Sequence, residues 1–94
     1  MEKFTKGQWV IGKITINEFG VICRPIDTED VLNLAIVHGG DDEDEANAKL
    51  IASAPELLEA LKNARATFML YYKDHYEGTG LQIKIDNAIN KATS

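Results

Sequence analysis

Ninety-four residues, 45% hydrophobic and 27% charged, make a chain of about one domain's length and of ordinary globular composition. The net charge is −5, and lysine and arginine are scattered singly, which disfavours direct DNA or RNA binding, since that calls for a basic patch. The charge is unevenly spread: residues 1–45 hold ten acids against four bases, and residues 46–94 hold five acids against six bases.

From Gln8 to Ile16 the chain reads QWVIGKITI, a β-branched run with Val10, Ile14 and Ile16 on one side of a strand and Trp9, Ile11, Lys13 and Thr15 on the other. Asn17-Glu18-Phe19-Gly20 supplies turn residues. A second strand is expected over 19–24 and ends at Pro25, which lacks a backbone donor. After a polar loop at Asp27–Asp30, VLNLAIVH at 31–38 is the third expected strand, closed by Gly39-Gly40. These three runs, 8–16, 19–24 and 31–38, predict a three-stranded antiparallel meander.

After Gly40 the pattern turns helical. Asp41–Glu45 places acids where a helix dipole favours them, and a short helix is expected over 43–52. Ser53-Ala54-Pro55-Glu56 follows, with Ser53 as an N-cap, Glu56 three residues later as in a capping box, and Pro55 tolerated in a first turn. A long helix should then run over 55–75. Its stripe is Leu57, Leu61, Ala64, Phe68, Tyr71 and His75, widened by Leu58, Met69 and Tyr72. Gly78 and Gly80 end it, and a closing helix is expected over 81–91, with Leu81, Ile85, Ala88, Ile89 and Ala92 on one side. The fold class is α+β, as a single domain over 1–94.

Candidate chemistry is sparse. The run Asp41–Glu45 lacks the spaced acids, central glycine and distal glutamate of an EF-hand loop, and reads as a solvated helix start. His38 and His75 are the only imidazoles, and nothing in the pattern brings them together. Cys23, the single cysteine, can form no internal disulfide and has no visible base to activate it, which fits a reducing compartment. No P-loop, GxSxG or GxGxxG is present. The expectation is therefore no enzyme, no metal and no cofactor. An aromatic group at Phe68, Tyr71, Tyr72 and Tyr76 near the end of the long helix stands out. Together with Trp9, Leu57 and Leu61 it is either core packed on the sheet or a surface for a partner or ligand.

Glu45-Ala46-Asn47-Ala48-Lys49-Leu50-Ile51-Ala52-Ser53-Ala54-Pro55-Glu56-Leu57-Leu58-Glu59-Ala60-Leu61 resembles a motif of small phage and prophage proteins whose centre reads approximately ANARLIAAAPELLEAL. The similarity extends more loosely to an upstream tryptophan-bearing strand, here Trp9. Downstream it covers a closing helix of type AIxKA, here Ala88-Ile89-Asn90-Lys91-Ala92. The connection at 38–45 is longer and more acidic than in those proteins. The resemblance implies a phage or mobile-element accessory protein and brings no catalytic residue with it.

No stretch approaches the ~18 apolar residues that span a bilayer, and Met1–Lys6 has no apolar core like that of a signal peptide, so a cytoplasmic protein is expected. The leading functional expectation is a non-enzymatic module that binds a host or phage protein, with a homodimer as one form. The alternative is a small-ligand or nucleotide-sequestering protein with the aromatics stacking on a base.

Overall fold

The computed structural model describes residues 4–93. Residues 1–3 and 94, which the single-domain reading and the reading of the opening segment include, lie outside the described residues. The chain gathers into two compact groups, one formed by Lys6–Pro55 and the other by Glu56 onward together with Phe4 and Thr5.

The first group is a sheet with one helix. Its elements are β1 (Val10–Ile11), β2 (Thr15–Ile16), β3 (Ile22–Asp27), β4 (Ala35–His38) and α1 (Asp42–Ala52). β3 lies in the middle and every pairing is antiparallel. Along one edge it carries β1, with Val10 opposite Asp27 and Ile11 opposite Ile26, and then β2, with Thr15 opposite Cys23 and Ile16 opposite Ile22. Along the other edge it carries β4, from Cys23 opposite His38 to Ile26 opposite Ala35. The expected meander is present, with its first strand in two pieces.

The strand boundaries depart from expectation for identifiable reasons. The run at 8–16 breaks at Gly12, whose N–H donates to the Pro25 carbonyl at 2.9 Å. The second strand covers 22–27 rather than 19–24, because Asn17–Gly20 forms a longer turn. There the Asn17 side-chain oxygen accepts from the N–H groups of Phe19 and Val21, and Gly20 takes φ +76°. β3 also runs through Pro25. In a strand the donor and acceptor of one residue point the same way, and the Pro25 carbonyl faces Gly12. The missing donor therefore falls on the β1 side, where pairing is already ending, and the β4 ladder loses nothing.

The third strand starts at Ala35 instead of Val31. The Thr28 hydroxyl, buried, accepts from the Asp30 and Val31 N–H groups, and Asn33 at φ +56° donates its N–H to Asp27 Oδ1 at 2.8 Å. These local bonds hold 28–33 in a loop.

α1 opens on a reciprocal cap. The Asp44 N–H donates to Asp41 Oδ1 at 2.8 Å, and the Asp41 N–H reaches back to the Asp44 carboxylate. The Asp44 backbone bond, then its side-chain bond, holds the Asp41 carboxyl below its ordinary value. α1 packs on β1, β3 and β4, and the core of this group is Ile26 and Ala48, both fully buried, with Pro25 beside them. At the other end of α1, the Ser53 hydroxyl donates to the Lys49 carbonyl at 2.9 Å, and Ser53 is the C-cap of α1. The expected role of Ser53 as the opening cap of the next helix is thus replaced by a closing one.

The second group is helical: α2 (Ala54–Tyr71), which begins just before it, α3 (Lys73–Tyr76) and α4 (Gly80–Thr93). The long helix expected over 55–75 stops at Tyr71. Tyr72 leaves helical geometry at φ −131°, ψ 29°, and a four-residue turn follows. That break lets Tyr76 turn inward to meet Ile85 and Ile89 of α4, with Leu58, Leu61 and Phe68 of α2 packed against them. α4 runs to Thr93 rather than 91, and the Thr79 hydroxyl caps its start by accepting the Gln82 N–H at 3.2 Å.

Candidate functional site

The helical group builds its surface from the line that packs. Leu58, Leu61, Arg65 and Phe68 recur at spacings of three and four, and this line faces α4. Arg65 is tied to Asp86 of α4 at 3.6 Å, an exposed pair of small worth. The packed line is rotated from the expected stripe. Leu57 is 53% exposed and Tyr71 73% exposed, and His75 is exposed as well, so these three are surface residues. Leu61 and Phe68 are partly buried in the core as expected of stripe members.

The aromatic residues divide by role. Tyr76 is 2% exposed and its ring lies 5.1 Å from that of Phe68, while Tyr72 meets Phe68 edge-on at 6.4 Å. Among the described residues the Tyr76 hydroxyl is buried without a hydrogen-bond partner. Burial first, and then the Asp86 charge, push its ionisation above the ordinary tyrosine value. Phe68, Tyr72, His75, Tyr76 and Leu81 line a shallow apolar cleft of about 230 Å³. Beside it, at the break between α2 and α3, Leu70, Tyr71 and Tyr72 project outward, and Leu70 is 72% exposed. The structure thus gathers Phe68, Tyr72 and Tyr76 around one cleft and sets Tyr71 beside it. Leu57 lies at the far end of α2, about four turns away. Trp9 belongs to the sheet group, where it is partly buried.

Sequence reasoning missed Leu70 and Leu81. The spacing rule that selects a packed stripe gives no reason to look at Leu70, and it places Leu81 only on one side of the closing helix with Ile85 and Ile89. Both sit at the ends of helices that the break at Tyr72 separates, and that break had no strong signal in the residues.

Electrostatics adds little chemistry. Among the described residues no group of three or more His, Cys, Asp or Glu side chains is placed to hold a metal ion. His38 ends β4 in the sheet group, and His75 lies in α3 of the helical group. Asp41–Glu45 form the cap and first turn of α1. Cys23 is a free thiol on β3. No helix among the described residues is long and apolar enough to cross a membrane.

A family model described as Salmonella phage P22 protein Y8K6 matches residues 1–94. The chain belongs to that family. The match spans the sheet, the acidic connection and the helices alike. No curated protein and no solved structure matches the chain.

Proposed function

We propose that this phage-family protein is a non-enzymatic accessory protein that acts in the host cytoplasm by binding another protein. Its contact surface is the apolar and aromatic end of α2, continuing into α3. The observation that carries the reading is the exposure of Leu70, Tyr71 and Tyr72 together at one helix end. Adjacent exposed aromatic and aliphatic side chains are what interface cores are made of, and a partner that covered them would remove their apolar area from water. The cleft beneath them gives such a partner a recess for one anchoring side chain.

The test uses infected cells carrying tagged wild-type chain or the double variant L70D/Y71D. Both substitutions fall on exposed positions, so the fold should survive, which circular dichroism checks. The reading expects a defined protein to be crosslinked to wild type and to be reduced at least about tenfold with the variant. Equal recovery with both chains rejects it.

A second reading rests on the same cleft. Phe68, Tyr72 and Tyr76 around about 230 Å³ could stack on a planar base, which would make the chain a nucleotide-sequestering protein. A ligand that binds only the folded state must stabilise it. Thermal shifts against a panel of nucleotides at millimolar concentration therefore separate the two, and no shift sets the second reading aside.

A further inference from the structure

We infer that the α2–α3 junction is a hinge with Tyr76 as its plug. When Tyr76 leaves the core, residues 72–76 join α2 in one continuous helix, and the recess opens to a partner's apolar side chain. As regulation of the surface assigned above, this rests on the reading that a protein binds there.

The bend has no local cause. Sharp breaks in helices fall mostly at proline, or at glycine and serine, and the stretch LYYKDHY at 70–76 holds none of these. Tyr72 still donates its N–H to the Phe68 carbonyl at 2.9 Å, as in an unbroken helix. No side chain caps the start of α3, so the break gives up bonds that a continuous helix would make to the last carbonyls of α2. The pair of Lys73 with Glu77 is spaced for a helix and survives in either form.

What holds the bend is tertiary. Tyr76 lies against Phe68, Ile85 and Ile89, a fit that suits its ring and strands its hydroxyl, which has no partner among the described residues. Each form thus carries one cost: the bent one buries an unpaired hydroxyl, and the straight one wets an aromatic ring. These costs oppose each other, which leaves the two forms close enough in free energy for both to be populated.

The consequence falls on the contact surface, because Leu70, Tyr71 and Tyr72 stand at the hinge itself. With Tyr76 in place the cleft it shares with Phe68, Tyr72 and Leu81 is shallow. With Tyr76 swung out, Phe68, Ile85 and Ile89 line a deeper recess. A leucine or phenylalanine anchor fills that recess without stranding a hydroxyl, so Tyr76 competes with the partner's own side chain.

Relaxation-dispersion and saturation-transfer NMR on the full chain test the hinge. The amides of Tyr72–Tyr76 and the methyls of Ile85 and Ile89 should share one exchange rate, with helical Cα shifts at 72–74 in the minor form. Y76F should lower the minor population about tenfold, since it removes the unpaired hydroxyl of the bent form. Y72G should lower it too, because glycine disfavours a continuous helix. Recovery of the crosslinked protein should fall about tenfold with Y76F, as affinity scales with the competent fraction. No shared exchange, coil-like minor shifts, or a population that Y76F leaves unchanged overturns the inference. If Y76F lowers the population but not the recovery, while L70D/Y71D loses the protein, regulation fails and the wider reading stands. If L70D/Y71D also recovers the protein in full, both fail.

Discussion

Tyr76 concentrates the tension in the helical core. Its ring is needed, since it fills the space between Phe68, Ile85 and Ile89, but its hydroxyl is buried with nothing among the described residues to accept its proton. A buried polar group without a partner costs free energy, and removing it while keeping the ring leaves the packing intact. Tyr76→Phe is therefore expected to leave the urea midpoint at pH 8 unchanged or raise it. The alkaline limb gives an independent check. Burial and Asp86 raise the folded-state ionisation of Tyr76 above the ordinary value of 10.0. A tyrosine raised in this way contributes stability in full below the unfolded value, and that contribution fades as pH climbs from there through the folded one. Wild type should consequently lose more stability than Tyr76→Phe between pH 8 and about 11. A clear drop in the variant's pH 8 midpoint would mean that the hydroxyl has a useful partner after all.

At the scale of elements, the lesson lies in where local bonds overrode periodicity. The class of each element was legible, because β-branched residues cluster before Gly40 and helix formers after it. The ends were less so. The signals for two helix starts were nonetheless present: Asp41 with Asp44, and Thr79 with Gln82, are capping residues at the right spacing. Ser53 misled because its hydroxyl can serve either neighbouring helix, and it serves the preceding one. Gly12 shows the same point in the sheet. It reads as a weak spot in a strand, but an added Cβ would run into the Asp27 carboxylate and crowd the Pro25 ring. Asp27 cannot swing aside freely, since it holds the Asn33 N–H. Gly12→Ala is thus expected to destabilise the chain by about 1–3 kcal/mol in urea unfolding. The loss should come with faster amide exchange at Asn33, and an unchanged midpoint would show that the carboxylate moves without cost.

For the whole molecule, the decisive quantity is how little apolar surface the described residues hide. Ile26, Ala48, Tyr76, Ile85 and Ile89 are the buried hydrophobics, whereas sixteen large hydrophobic side chains are at least about a third exposed. Such a ratio was not legible from composition, because 45% hydrophobic residues would serve a well-covered core equally well. The aromatic residues of the candidate surface were legible as a group, yet their division into core and surface was not. That division follows from the break at Tyr72, which buries Tyr76 and leaves Tyr71 outside. Small domains with few buried side chains have thin stability margins, and a second copy that covers exposed surface adds to them by mass action. The melting temperature should accordingly rise with protein concentration, by roughly 5–10 °C over a hundredfold range, if folding and association are coupled. Differential scanning calorimetry at about 5 and 500 µM reads this directly. A melting temperature that does not move with concentration would mean that the exposed apolar surface is left for a different protein.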